Sequence, residues 1–201
     1  MGKPRKNVKD PQLDLRYTPS YAAAPLLKVL ELSKKAFIWE SACGENDLVN
    51  SIIEQSDLKI YGTDLSTGHD FFDDKSVPEP FIDPDFNELT GIITNPPYSM
   101  KPQWVQRCFE LTENVALLLP VESLASSKLR AIWDQNGGVS VLLMDTRIDF
   151  RGENEKWYQS SCNFSSAWFI SGYNITPDRI LHGSIKDEKS DFKKSCRFLN
   201  I

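Results

Sequence analysis

No apolar run in the chain approaches 18 residues, so nothing in it reads as a membrane-spanning helix. The four cysteines, Cys43, Cys108, Cys162 and Cys196, are scattered and form no C-x-x-C pair. The two histidines, His69 and His182, stand alone. Neither a zinc site nor a disulfide framework is expected from that spacing, no metal is assigned, and reduced thiols fit a cytoplasmic location. The basic start, Met1-Gly2-Lys3-Pro4-Arg5-Lys6, is followed by no apolar stretch, unlike a secretory leader. Positive charge is also short: 23 Lys and Arg against 28 Asp and Glu leave a net charge of −5. That argues against a protein that coats nucleic acid through bulk electrostatics. Nothing in the chain repeats.

What remains is 201 residues, 40% hydrophobic and 11% aromatic. That is enough for one α/β domain with a proper core and little room for a second. The charge is unevenly placed. Between 70 and 88 seven acids accompany one lysine, whereas the N-terminal arm and the stretch from Lys186 to Arg197 are lysine-rich.

Residues 1–16 are polar, basic and without apolar period, and read as a flexible arm. Tyr17-Thr18-Pro19 opens structure. Pro25 suits the first position of a helix through Leu26, Leu27, Leu30 and Lys34. A strand over 36–40, a turn of small residues over 41–46, a helix over 47–55 and a strand over 58–63 form a β-α-β unit, with parallel strands and a right-handed crossover. The acidic stretch 70–89, with Pro78, Pro80 and Pro84, reads as loop with one short strand near Phe81-Ile82. Further strands are expected over 91–94, 115–119, 139–144 and 165–170, with helices over 102–112 and 123–135. No strong period is seen after Gly172. About seven strands result, with the last two consecutive. This implies an open, mostly parallel α/β sheet with one antiparallel hairpin at an edge. In such sheets ligands sit beyond the carboxyl ends of the strands.

The informative turns all fall at those ends. Asn95-Pro96-Pro97-Tyr98 follows the apolar run Gly91-Ile92-Ile93-Thr94. The two prolines stiffen the turn and donate no N–H, which leaves its carbonyls free. Asn95 adds a side-chain acceptor and Tyr98 a flat π-face. Such a unit can accept hydrogen bonds from a planar –NH2 group and stack on the ring that carries it. Glu40 ends the first strand, and Asp64 closes the second, where an acid commonly grips ribose hydroxyls. Between them Ala42, Cys43 and Gly44 let backbone approach a ligand closely.

Taken in order, Tyr17-Thr18-Pro19, Pro25-Leu26-Leu27, Trp39-Glu40-Ser41-Ala42-Cys43-Gly44, Gly62-Thr63-Asp64, Thr67-Gly68-His69-Asp70-Phe71-Phe72, Ile93-Thr94-Asn95-Pro96-Pro97-Tyr98-Ser99 and Leu117-Leu118-Leu119-Pro120 resemble the motifs of S-adenosylmethionine-dependent amino-methyltransferases. They most resemble the small phage- and prophage-type adenine methyltransferases. Arg147-Ile148-Asp149-Phe150 followed by Ser165-Ser166-Ala167-Trp168-Phe169 is similar to the closing hairpin of that group. The match covers roughly 17–172, leaving 173–201 as a C-terminal extension with no separate target-recognition domain.

The resemblance implies a Rossmann-like class I methyltransferase fold and S-adenosylmethionine as cofactor. Tyr17, Thr18, Pro19, Glu40, Ala42, Cys43, Gly44, Asp64, Asp70, Phe71 and Asn95 would hold it, Asp70 and Phe71 at its adenine. It also implies transfer to the exocyclic amine of adenine, held by Asn95 and the Pro96 carbonyl in a turn stiffened by Pro97, with Tyr98 stacked on the base. The family usually has a second glycine at position 46. Asn46 is the non-glycine type that best tolerates left-handed angles, so the turn can survive.

DNA is the expected partner, with sequence choice left to loops. There Ser99, Arg147, Arg151 and Lys156, beside Trp157 and Tyr158, mix charge and aromatics as a phosphate- and base-contacting surface does. Adenine in RNA, cytosine N4 in DNA and protein glutamine share the chemistry of this turn. A cofactor-binding module without catalysis is the non-enzymatic alternative. The Tyr17-Thr18-Pro19 element favours a nucleic-acid substrate over a protein amide.

Overall fold

The computed structural model describes residues 16–152, 154–199 and 201. Of the arm over 1–16, only Arg16 falls within them. Seven strands, β1 (Phe37–Glu40), β2 (Lys59–Gly62), β3 (Thr90–Thr94), β4 (Val115–Pro120), β5 (Ser140–Met144), β6 (Ser166–Ser171) and β7 (Ile180–Gly183), form one sheet. Their order is β2-β1-β3-β4-β6-β5-β7. Among the described residues five α-helices accompany it: α1 (Ala24–Leu30), α2 (Asp47–Gln55), α3 (Lys101–Leu111), α4 (Ser127–Gln135) and α5 (Lys186–Leu199).

The sheet follows from where the apolar residues run. β4 and β6 lie inside it, and every residue of both is buried. β2 and β7 are the edges, and both alternate between exposed and half-buried residues. Neighbouring side chains point to opposite faces of a strand, so pairs in sequence divide between two cores. Ile38, Ile93, Leu118 and Trp168 join Tyr21, Leu26 and Ile52 on one face. Trp39, Ile92, Leu117 and Phe169 join Trp104, Leu129 and Trp133 on the other. The first core is covered by α1 and α2, the second by α3 and α4.

β6 is the only strand among the described residues that runs against the rest. It pairs antiparallel with β4 on one side and β5 on the other. Strands β1, β2, β3, β4, β5 and β7 therefore point the same way, and their carboxyl ends share one edge of the sheet.

Three details differ from the sequence expectations. The short strand near Phe81-Ile82 is instead a 3-10 turn, Glu79–Phe81. Pro78 and Pro80 donate no N–H there, so the segment cannot join a ladder. Helix α1 ends at Leu30, before Lys34, because Glu31 turns left-handed at φ 46°. The antiparallel pair β5–β6 has a further strand outside it, because 173–201 supplies β7 and α5 to the same sheet.

Tyr173 locks that stretch into the sheet. It is buried, and its hydroxyl donates to the Ile92 carbonyl at 3.2 Å. A Cβ at Gly91 would lie 2.3 Å from that hydroxyl oxygen. Gly91→Ala is therefore expected to lower unfolding free energy by about 1–3 kcal/mol, the usual cost of overpacking. Urea denaturation would show it as a lower midpoint at unchanged slope.

Candidate active site

The carboxyl ends of β1, β2 and β3 surround an open cleft. Tyr17, Thr18, Glu40, Ala42, Cys43, Gly44, Asp64, Asn95 and Pro97 line it. Nine residues singled out by motif, from four separate stretches of sequence, thus converge on one space.

Glu40 organises the floor. Its side chain is 1% exposed. One oxygen, Oε1, accepts the Ala42 backbone N–H at 2.9 Å and the Thr94 hydroxyl. That single atom ties the start of the β1–α2 loop to the end of β3. Burial pushes the Glu40 carboxyl up to about 7, against the lowering effect of those hydrogen bonds. Asp64 holds the other side of the loop. Its Oδ2 accepts the Gly44 N–H at 2.9 Å, while Oδ1 accepts from the Ser66 backbone at 2.9 Å and hydroxyl at 2.6 Å.

The loop itself is tightly wound. Gly44 and Asn46 both have positive φ, 51° and 66°. Asn46 takes the left-handed conformation directly before the first residue of α2. A Cβ on Gly44 would meet the Tyr17 ring at 3.1 Å, so a larger residue there would push the ring aside. Burial and the neighbouring Glu40 and Asp64 carboxylates raise the Cys43 thiol to about 12. It is no nucleophile at neutral pH.

At the β3 end, the Asn95 side-chain NH2 donates to the Arg16 carbonyl at 3.1 Å. A carbonyl only accepts, so this contact fixes which way the amide faces. Asn95 Oδ1 is left buried without a hydrogen bond among the described residues. The Pro97 carbonyl is taken by Met100 N–H at 3.1 Å, whereas that of Pro96 accepts no hydrogen bond among the described residues. A buried acceptor without a donor is costly, and here one belongs to a residue of the cleft lining.

Several expected site residues lie elsewhere. Pro19 precedes a 3-10 turn outside the cleft lining. Asp70 is exposed and accepts from Phe72 N–H at 3.0 Å. Phe71 is 2% exposed, stacked on Trp104 at 4.5 Å and edge-on to Trp39 at 5.2 Å. Its ring belongs to the core and not to a cofactor surface. Tyr98 packs edge-on against Phe164 at 5.8 Å and Phe150 at 6.4 Å, with the Lys101 ammonium 5.6 Å from its ring centre. Ser99 and Arg147 are exposed, Lys156 is half-buried, and none lines the cleft.

Arg151 is placed quite differently from a substrate-contacting cation. Its backbone bridges that of Tyr17, by hydrogen bonds of 3.0 and 3.2 Å. Its guanidinium lies 4.3 Å from the Tyr17 ring centre and 5.0 Å from that of Trp157. It also pairs with Glu45 and stands 4.0 Å from Asp47. Arg151 therefore clips the segment at Tyr17 to the glycine-bearing loop.

Three lining residues went unnoticed in the sequence: Arg16, Asp47 and Leu48. Asp47 and Leu48 open α2, and a helix starting directly after a ligand-binding turn presents its first residues to the same ligand. Burial raises the Asp47 carboxyl to about 6, with Glu45 adding to the rise and Arg151 opposing it. Arg16 contributes its backbone carbonyl, which no side-chain pattern reveals.

No protein-family model and no curated protein matches the chain. Among solved structures it is similar to a candidate class I S-adenosylmethionine-dependent methyltransferase from Listeria monocytogenes. That match has 14% identity and a TM-score of 0.50, over 90% of this chain and 70% of the other. It is also similar to a candidate RNA methyltransferase from Pyrococcus horikoshii, at 13% identity and a TM-score of 0.45, over 84% of this chain and 90% of the other. The first likeness gives the fold as the Rossmann-like one of class I methyltransferases.

A carboxyl whose folded value is raised favours the folded state at low pH and loses that contribution as pH rises through the folded value. For Glu40 the loss runs from about pH 4.5 to about 7. Between pH 5 and pH 8 it amounts to roughly 2–3 kcal/mol. Glu40→Gln is expected to flatten the decline in unfolding free energy over that range by this amount, measured by urea denaturation at each pH.

Proposed function

We propose that the chain transfers a methyl group from S-adenosylmethionine to the exocyclic amine of adenine in DNA. The observation that carries this reading is Asn95, whose amide is oriented by Arg16 so that a buried oxygen has no donor. Together with the Pro96 carbonyl, which accepts no hydrogen bond among the described residues, it offers two acceptors in a stiff turn. An aromatic amine is a poor nucleophile because its lone pair is delocalised into the ring. Accepting hydrogen bonds from both amine hydrogens favours a nitrogen whose lone pair is available. The contribution is positioning and fixed dipoles, so no strongly shifted base is required.

The cofactor supplies an activated methyl group. The cleft suits it: Glu40 is an acid at the end of β1 that would meet the positively charged methionine part, and its ionisation would be favoured by that charge. Asp64, beside Gly44, would accept from ribose hydroxyls with the lone pairs its loop contacts leave over. Tyr17, Thr18, Ala42 and Cys43 complete the walls.

Tyr98 would take the target base on the face now approached by Lys101, its ring held edgewise by Phe150 and Phe164. A base within a duplex must be flipped out to reach it.

The test is transfer of labelled methyl to DNA and, in parallel, to RNA, with nucleoside analysis of the product. Asn95→Ala is expected to lower transfer about 100-fold or more, in line with loss of a fixed polar contact in other sites, while calorimetry shows S-adenosylmethionine still bound. Unimpaired transfer by Asn95→Ala would refute the assigned role. Label appearing in RNA alone would replace DNA as the substrate. Asp64→Ala is expected to weaken cofactor binding about tenfold, because the Gly44 N–H loses its acceptor.

A further inference from the structure

We propose that one face of α5 is the track along which the sugar–phosphate backbone of the nucleic-acid substrate lies. The proposal rests on the preceding reading for the identity of the polyanion. The surface itself is defined independently of the cleft.

The chain as a whole is acidic, yet α5 carries Lys186, Lys189, Lys193, Lys194 and Arg197. At 100° per residue these five fall within an arc of about 140°. Asp187, Glu188 and Asp191 fall outside that arc. With Thr146 from the turn after β5, the five cations line a groove that has no carboxylate among its described lining residues. Lys186, Lys194 and Arg197 are exposed. Lys194 meets Asp191 at 3.1 Å, but both side chains are about three-quarters exposed, and such pairs hold weakly.

The helix is fixed in place by its other side. Phe192 packs edge-on between Tyr21, 5.5 Å away, and Trp157, 5.4 Å away. Cys196 is buried. Asp145, just beyond β5, accepts the Ile185 N–H at 3.0 Å and the Ser184 hydroxyl at 2.6 Å, which anchors the start of α5. The cations are thus presented on a rigid element, and positioning them costs a ligand little entropy.

Topology starts this helix at the ligand edge of the sheet. α5 begins three residues after β7, whose carboxyl end shares an edge with those of β1, β2 and β3. Contacts link the helix to the candidate site. Lys189 and Lys193 both reach Asp149 Oδ2, at 2.9 and 2.8 Å. Asp149 precedes Phe150, which packs against Tyr98. The Asp149 backbone N–H donates to the Tyr21 hydroxyl at 2.9 Å, in the segment that follows Thr18 at the cleft. Two lysines on one carboxylate leave that cluster with surplus positive charge.

The dimensions suit a nucleic-acid strand. From Lys186 to Arg197 the helix rises about 16 Å, which matches four to five nucleotide steps of about 3.4 Å. A bilayer surface would need large apolar residues among the cations. The exposed Phe198 and Leu199 lie outside the basic arc, which otherwise contains only Ser190. A local basic stripe on an acidic protein also orients the approaching polyanion, because the rest of the surface repels it.

The experiment is fluorescence anisotropy of the full chain with a labelled 30-base-pair duplex and a labelled single-stranded RNA, from 25 to 250 mM salt. The variant is Lys186→Gln, Lys194→Gln and Arg197→Gln combined, none of which lines the cleft. Lys34→Gln with Lys35→Gln, at the amino end of β1, is the control for general loss of charge. The triple variant is expected to bind at least tenfold more weakly at low salt. The slope of log affinity against log salt should fall by about two to three, roughly one per lost phosphate contact. S-adenosylmethionine binding should be unchanged.

An unchanged slope in the triple variant, an equal loss in the Lys34 and Lys35 control, or no binding of either nucleic acid at 25 mM salt would overturn the proposal. So would binding of phosphatidylserine vesicles that the triple variant loses while its nucleic-acid affinity stays intact. Salt-dependent binding through α5 without methyl transfer to any nucleic acid would support the track and refute the reading of the cleft. Methyl transfer with an unaltered triple variant would do the reverse.

Discussion

A single carboxylate oxygen, Glu40 Oε1, is the junction on which the ligand edge of the sheet depends. It receives the Ala42 N–H and the Thr94 hydroxyl, so that loop and strand end meet at one atom. Around it the backbone closes a second circuit: Thr63 N–H donates to the Glu40 carbonyl, Cys43 N–H to the Thr63 carbonyl, and Gly44 N–H to Asp64. The three strand ends are thereby held together without apolar packing, by groups that all have somewhere to go. Burying an acid for this purpose is unfavourable when it is ionised, and its raised value records that cost. Sites tolerate such a cost where a bound positive charge can offset it.

A second layer of order surrounds that junction. Tyr17 lies between Gly44 and Arg151, and Arg151 lies between the rings of Tyr17 and Trp157. The segment at Tyr17 is distant in sequence from both the glycine loop and Trp157, yet one guanidinium joins all three. It does so by stacking and by its ion pair with Glu45, uses for which the planar arginine fork suits better than a lysine. The same cation that composition marks as a nucleic-acid contact thus serves in the wall of the cleft.

Most of the sheet and the heart of the site were legible in the sequence. β/α alternation and short turns gave the parallel strands, and small residues with acids at strand ends marked the cleft. Asn46 read as the residue able to replace a left-handed glycine, and it has that conformation. What escaped has physical reasons. β7 is an edge strand whose exposed residues alternate with half-buried ones, so Ile180–Gly183 carries no apolar run. α5 has only Cys196 fully buried among its residues, and its charges mask the helical period. Phe71 looks like a ligand residue by its place beside Asp70, but an aromatic next to Trp39 and Trp104 is drawn into their core. Side-chain identity announces chemistry, whereas which way a ring turns is decided by neighbours far off in sequence.

The central position of β6 bears on how the chain reaches this state. β4 gains its second neighbour only when residues 166–171 arrive, some fifty positions after its own. Until then an entirely apolar strand presents an open edge, the kind of surface on which chains pair with one another. On a ribosome adding about 5–20 residues per second, that interval lasts several seconds. β5, made earlier than β6, does not close the gap, since its neighbours in the sheet are β6 and β7. The half of the molecule that carries the cleft is therefore synthesised first but sealed last, and the final strands act as its latch during biogenesis.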